Sequence, residues 1–490
     1  MKKLNLSKRM LPILFWLTIA QCALAQTFTT LVTFDGTNGF TPSTSLVQGI
    51  DGNYYGTTEE GGTGSCKIGC GTIFRITSTG SLSTLYNFCE SPNCLDGSYP
   101  IAGLILGFDG NFYGVTTTGG TYNSGTIFKF SQSGALTTIY SFCALDRCAD
   151  GNWPEGPLLE ASDGALYGVT AFGGNLRCSG GCGTIFRINP DGSFATLYTF
   201  CSQSGCPDGA APVGALVQAT NGNFYGTTTN GGMYTCSGNL YSQTCGTIFQ
   251  ITSKGELTTL HNFRSIEGYY PYAGLTQGMN GNFYGTTYQG GRGICNDYGC
   301  GVGTIFGITR GGVFHTLYIF GKNDDTSDGA YPSGNLILAN DGDLYGTTQS
   351  GGADTCQAGC GTIFSLSRSG LTTLHDFDGT DENPDGALFQ ATTGIFYGTT
   401  PGTVFSFDLG LQPFVTLIRD AAKANEMDGI LGQGLTGTTN VSFNGTSASF
   451  KVVSDTLLKV QIPGGVTTGY VTVTTPTGSL TSNIPFYVIP

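Results

Sequence analysis

At 490 residues the chain has room for about three ordinary domains, but 79 glycines and only 11 % charged residues set it apart from a typical globular sequence. Its 32 Phe and 24 Tyr are too many rings for a disordered or linker-like chain, which leaves a packed, turn-rich β protein. With 33 acidic against 20 basic residues the formal charge is −13, which excludes the basic stripe of a nucleic-acid binder.

At the N-terminus Lys2, Lys3, Lys8 and Arg9 precede an apolar stretch from Leu11 to Ala25, and Ala23 and Ala25 flank Leu24 in the pattern a signal peptidase reads. Residues 1–25 are therefore expected to be a signal peptide. The remainder would carry 33 acids against 16 bases and no transmembrane segment. Export makes disulfides the expected state of the cysteines beyond Cys22, which fall into pairs of near neighbours: Cys66 and Cys70, Cys89 and Cys94, Cys143 and Cys148, Cys178 and Cys182, Cys201 and Cys206, Cys236 and Cys245, Cys295 and Cys300, Cys356 and Cys360. Zinc is the weaker reading, because it wants Cys or His in sets of four and His261, His315 and His375 sit in strand-like positions. No cofactor is expected; a structural divalent cation such as calcium is left open.

From Tyr55 onward a unit repeats. A Tyr-Gly pair begins at Tyr55, Tyr113, Tyr167, Tyr225, Tyr284, Tyr345 and Tyr397, and Gly-Thr-Ile-Phe or a variant follows from Gly71, Gly125, Gly183, Gly246, Gly303, Gly361 and Gly402. Residues 103–142 show four strand-like pieces per unit, with Asp109-Gly110-Asn111 as hairpin chemistry between the first two. Four strands repeated seven times predict a seven-bladed β-propeller over residues 26–410. The fourth-strand pattern ends at Phe88, Phe142, Phe200, Phe263, Phe320 and Phe377, one short of the number of units. Residues 28–34 carry the same pattern and are expected to close the ring; residues 413–417 are the competing source.

The series Asp-Gly-Asn-Phe-Tyr-Gly-Thr-Thr, Gly-Gly, Gly-Thr-Ile-Phe and Thr-Leu-Tyr-x-Phe resembles the Gloeo/Verruco (GloVer) tandem-repeat family of secreted bacterial proteins over residues 27–408. Tyr54 stands for Phe in the first unit, and Thr393-Gly394 for Asp-Gly in the last. The resemblance implies fold and export, not chemistry. Residues 411–490 lose the repeat and the cysteines. Their short alternating strands with Gly and Pro turns predict a small β-sandwich similar to IPT/TIG immunoglobulin-like domains, with residues 419–427 departing from that pattern.

In a propeller, every cysteine pair would fall in loops on one side of the disk, which makes that stapled side the candidate interaction surface. An acid-glycine pair recurs ahead of the innermost strand, at Asp96, Asp150, Asp208, Glu267, Asp328 and Asp385. These acids are candidates for a ring at the channel mouth; the competing reading is a cap on each acid's own turn. Tyr99, Trp153, Tyr270 and Tyr331, beside the following proline, are candidates for stacking on sugars, or else pack on that proline. Glu59, Glu60, Glu155 and Asp297 are acids outside the repeat, with nothing in the sequence to bring any two together. No catalytic residue is assigned. The expectation is a secreted or cell-surface bacterial protein, monomeric and noncatalytic, that binds extracellular carbohydrate or protein through the stapled face. The alternatives are a carbohydrate-active hydrolase or lyase using acids near the channel mouth, and a structural cell-surface component.

Overall fold

The computed structural model describes residues 26–42, 44–236, 244–291, 295–296, 299–322, 325–352, 356, 359–379 and 383–489. Residues 1–25, Asp297 and the side chains of Cys295 and Cys300 lie outside that description. The fold is all-β with almost no helix, and residues 27–408 form seven four-stranded antiparallel sheets among the described residues. The first runs Val47–Gln48, Tyr54–Thr58, Thr72–Ile76 and Leu82–Asn87 in simple order. In the seventh, Phe389–Gln390, Phe396–Thr399 and Thr403–Asp408 are completed by Thr27–Thr33, paired to Thr403–Asp408 from the far end of the chain. The competing segment goes elsewhere: Thr416–Leu417 pairs with Met427–Leu431 in a different sheet.

Each repeated residue has a local task. Asp109 Oδ1 accepts the Asn111 N–H at 3.0 Å, which folds the turn, while its Oδ2 accepts the Tyr113 hydroxyl at 2.9 Å. Asp51, Asp163 and Asp341 hold Tyr55, Tyr167 and Tyr345 in the same way. The glycine after that tyrosine makes room for a ring: a Cβ on Gly114 would lie 2.6 Å from Phe128 Cζ, the Phe of Gly-Thr-Ile-Phe. The threonines pair across the next loop, Thr116 Oγ1 with Thr126 Oγ1 at 2.8 Å, and likewise Thr58 with Thr72, Thr170 with Thr184 and Thr228 with Thr247. Second strands such as Phe112–Thr116 are buried on both faces, because each sheet is covered by its neighbours.

Neighbouring sheets meet through aromatic pairs. Ring centroids are 4.3 Å apart for Tyr55 and Phe112, 4.1 Å for Tyr167 and Phe224, and 4.2 Å for Tyr225 and Phe283. The seventh sheet meets the first by the same device, Tyr397 against Tyr54 at 4.3 Å. Hydrogen bonds repeat across that seam too. Thr399 Oγ1 donates to Thr44 O at 3.2 Å, as Thr57 does to Ala102 O, and Gln48 Oε1 accepts the Thr392 N–H at 3.1 Å. The array of sheets therefore runs in a closed circle, in a propeller-like arrangement.

After residue 411 two further four-stranded sheets enclose a second core of Val415, Ile430, Val441, Phe443, Leu458, Val460, Val471, Val473 and Phe486. Ala421–Ala422, within the segment that departs from the expected pattern, pairs in parallel with Tyr487–Val488. This unit sits on the turns between first and second strands: Thr456 Oγ1 donates to Ile50 O at 2.6 Å, Asn340 Nδ2 to Gln412 O at 2.7 Å, and Arg419 lies 4.5 Å over the Phe108 ring. Antiparallel alternation puts those turns at one end of the strands and the cysteine-bearing loops at the other, so the cystine side is left open.

Candidate functional site

At the centre of the circle a cavity of about 460 Å³ is lined by residues from all seven sheets. Its floor is small: Ser45, Ala102, Gly103, Gly214, Ala215, Ala273, Gly334 and Ala387 come from the segments leading into the innermost strands. The chemistry comes from two positions in the unit. One is the residue after the proline that precedes the innermost strand, which supplies Glu155, Tyr272 and Asp385; the other follows the Thr-Thr pair, and supplies Glu59, Tyr288 and Gln349. Both positions lie at the strand ends that carry the cysteine loops, so the cavity mouth faces the cystine side.

Three carboxylates thus converge from the first, third and seventh sheets. Burial raises Glu155 to about 7, against a hydrogen bond from the Trp153 indole, and the charge of Glu59 pushes the same way as burial. Burial also raises Glu59, with Glu60 and Asp385 adding to it, and raises Asp385 against the Gln349 amide. The same cavity holds an arc of tyrosines from the fifth and sixth sheets. Tyr270 stacks on Tyr272 with centroids 5.9 Å apart, and Tyr288 lies 5.2 Å from Tyr331. The arc joins the acids through one chain of hydrogen bonds: the Tyr288 hydroxyl donates to Gln349 Oε1 at 2.8 Å, and Gln349 Nε2 donates to Asp385 Oδ1.

The acid-glycine residues do not form a ring here, with one exception. Asp96 Oδ2 accepts the Tyr86 hydroxyl and the Cys89 N–H, both at 2.9 Å. Asp150 accepts the Tyr140 hydroxyl at 2.8 Å and the N–H groups of Ala144 and Leu145. Asp208 binds Tyr198 and Ser202, Asp328 binds Tyr318 and Gly321, and Glu267 meets His261 at 3.1 Å. All these partners lie on the outermost strand or the loop leaving it, so the five acids latch that loop at the rim and do not border the channel. Asp385 does border it, because in the last unit the Asp-Gly pair follows the proline (Pro384-Asp385) instead of preceding it as in Asp96-Gly97-Ser98-Tyr99-Pro100. Among the aromatics, Tyr270 lines the cavity. Tyr331 reaches it through Tyr288, and Trp153 through Glu155, while Tyr99 is held at positive φ with its N–H on Cys70 O. Glu59 and Glu155, unconnected in sequence, share the cavity; Glu60 is not among the residues that line it. Tyr272, Tyr288 and Gln349 carried no sequence signal beyond breaking the repeat at these two positions.

Seven disulfides join described cysteines, all in the loops between second and third strands or between one sheet and the next. Four of them gather in twos. The sulfurs of Cys66, Cys70, Cys89 and Cys94 all lie within 4.8 Å of one another, as do those of Cys178, Cys182, Cys201 and Cys206. Such disulfide density suggests an extracellular location, and among the described residues no helix is long and apolar enough to cross a membrane.

The pattern of the Gloeobacter/Verrucomicrobia repeat matches residues 16–148, 67–296 and 235–450. The chain belongs to this repeat family. No curated protein matches this Gloeobacter/Verrucomicrobia repeat protein. Solved structures similar to it include the hydrazine synthase of Kuenenia stuttgartiensis (13 % identity, 76 % of this chain and 97 % of that one, TM-score 0.47). A luciferin-regenerating enzyme is 13 % identical over 65 % of this chain and 94 % of its own, with a TM-score of 0.40. A chain of a nidogen/laminin complex is 14 % identical over 65 % and 95 %, with a TM-score of 0.39. Likenesses this distant carry neither ligand nor activity to the repeat protein.

Proposed function

We propose that this repeat protein is a secreted bacterial binding protein: a seven-bladed propeller over residues 26–410, followed by an IPT/TIG-like immunoglobulin sandwich, that takes extracellular carbohydrate without catalysis at the central cavity of its cystine-bearing face. The observation that carries this reading is the meeting of a tyrosine arc and three carboxylates in a cavity of about 460 Å³. Sugar rings offer apolar C–H faces to aromatic rings and hydroxyls to carboxylates, and a few placed polar groups within such a cavity fix orientation. The disulfides favour an oxidising location, and the apolar N-terminal segment supplies the export route. The test is a glycan array with residues 26–490, followed by titration of each hit against Tyr288→Ala and Glu59→Gln. Each substitution is expected to weaken binding tenfold or more, about 1.4 kcal/mol. Hits that bind both variants as tightly as the parent would remove the cavity from the account.

A hydrolase or lyase is the second reading, and the position of Glu155 favours it. A carboxyl near 7 is suited to donate a proton to a leaving oxygen at neutral pH, and Glu59 and Asp385 supply further carboxylates in the same cavity. Depolymerisation of a bound glycan that disappears in Glu155→Gln, with binding retained, would establish it in place of the first.

A further inference from the structure

The two cysteine quartets hold more than two staples each. In both, one pair comes from the loop between the second and third strands of a sheet and the other from the loop that leaves the fourth strand of that same sheet. The spacing is identical, 66, 70, 89 and 94 against 178, 182, 201 and 206, so the first and third sheets build one object twice. In each quartet the two central cysteines are buried, with Cys70, Cys89 and Cys201 fully so and Cys182 at 1 %, and the outer two are half-buried.

A zinc ion with four thiolate ligands at about 2.3 Å sets its sulfurs about 3.8 Å apart. Sulfurs of different disulfides, already within 4.8 Å of one another, need to close by no more than about an ångström to reach that shape, and the two sulfurs of each disulfide, once reduced, need to part by about 2 Å. Donors to the sulfurs are in place as well: the Cys66 N–H points to Cys70 Sγ at 3.0 Å, and the Ser65 hydroxyl lies 3.1 Å from Cys89 Sγ. At the second quartet the Arg177 guanidinium donates to Ser202 O at 3.3 Å, beside Cys201, and brings positive charge to a group that would carry two net negative charges. The pairs Cys143 and Cys148, Cys236 and Cys245, and Cys356 and Cys360 have no second pair within this reach among the described residues.

We propose that each quartet is a tetrathiolate site for zinc or a similarly soft divalent cation, closed by two disulfides in the oxidised chain and filled by one ion in the reduced chain. The chemistry balances with a phosphine reductant. Two disulfides, two phosphines and two waters give four thiols and two phosphine oxides; the four thiols then release four protons to solvent as they bind one dication.

The full chain, reduced with a trialkylphosphine under anaerobic conditions, is titrated with cobalt(II) as the probe, and the visible bands of tetrahedral tetrathiolate cobalt are counted. Two ions per chain are expected, displaced by zinc, and none in the oxidised chain. Cys70→Ser is expected to leave one, Cys70→Ser with Cys182→Ser none, and Cys143→Ser both. Should the reduced chain unfold and bind metal through scattered thiols, Cys143→Ser would lower the signal as much as Cys70→Ser does, and the proposal would fail. It fails equally if the reduced parent shows no tetrathiolate spectrum, or if the oxidised chain takes up the same two ions.

Discussion

Glu155 sits between a Trp153 indole that favours its charge and a burial that opposes it, and burial prevails, taking the carboxyl from 4.5 to about 7. Because the folded chain binds this proton more tightly than the unfolded chain, the linked stability is fully present below about pH 4.5 and is lost as pH rises to about 7. Glu155→Gln should therefore stabilise the protein at pH 8 by about 1–3 kcal/mol and leave it little changed at pH 4. Thermal unfolding at the two pH values checks this, and an equal shift at both would place the effect in packing. Gly226 tests the second residue-scale rule. A Cβ there would lie 2.7 Å from Phe249 Cζ, so Gly226→Ala should cost about 1–3 kcal/mol in denaturant unfolding. At this scale the sequence was legible wherever a residue works locally, as Asp109 does for Asn111 and Tyr113. At the acid-glycine pairs it left a turn cap and a channel ring both open, because whether an acid faces the rim or the channel depends on which side of the proline it falls. Asp385 differs from Asp96 in that order alone.

Among elements, Thr27–Thr33 has the largest consequence. It buries Val32, leads into the buried Phe34, and gives Thr403–Asp408 its outer partner. Without it the strand becomes an edge with unpaired backbone groups on a face that already packs Phe405 and Phe407. A chain starting at residue 36 should thus melt at lower temperature and self-associate, as read by calorimetry and light scattering; unchanged melting would mean that another segment completes the sheet. The strands were readable because each motif recurs with equivalent partners in most units. The cavity and the cysteine quartets were not. Glu59 meets Glu155 only because non-adjacent sheets converge on an axis, and Cys70 meets Cys89 only because two loops of one sheet end side by side.

For the whole molecule, the seat of the C-terminal unit was the least legible feature, since its contacts run largely through backbone groups such as Ile50 O and Gln412 O. Arg419 is the charged side chain among those that join the two units, beside Thr456, Asn340 and Tyr470. It lies over Phe108 of the second sheet, donates to Met427 O at 2.6 Å, and pairs with Glu426 at 3.4 Å. It also opposes the burial that takes Asp428, 1 % exposed, up to about 7. At pH 8 Asp428 is mostly ionised and depends on that guanidinium; at pH 5 it is protonated and does not. Arg419→Ala should therefore cost more at pH 8 than at pH 5, by about 1–2 kcal/mol. At pH 5 the loss should shrink to the contacts with Phe108, Glu426 and Met427 O, about 0.5–2 kcal/mol. Unfolding of Arg419→Ala and of Arg419→Ala with Asp428→Asn, each at both pH values, separates the two contributions. If the second variant loses as much at pH 8 as the first, the cost lies in the contacts with Phe108, Glu426 and Met427 O and not in the buried carboxyl.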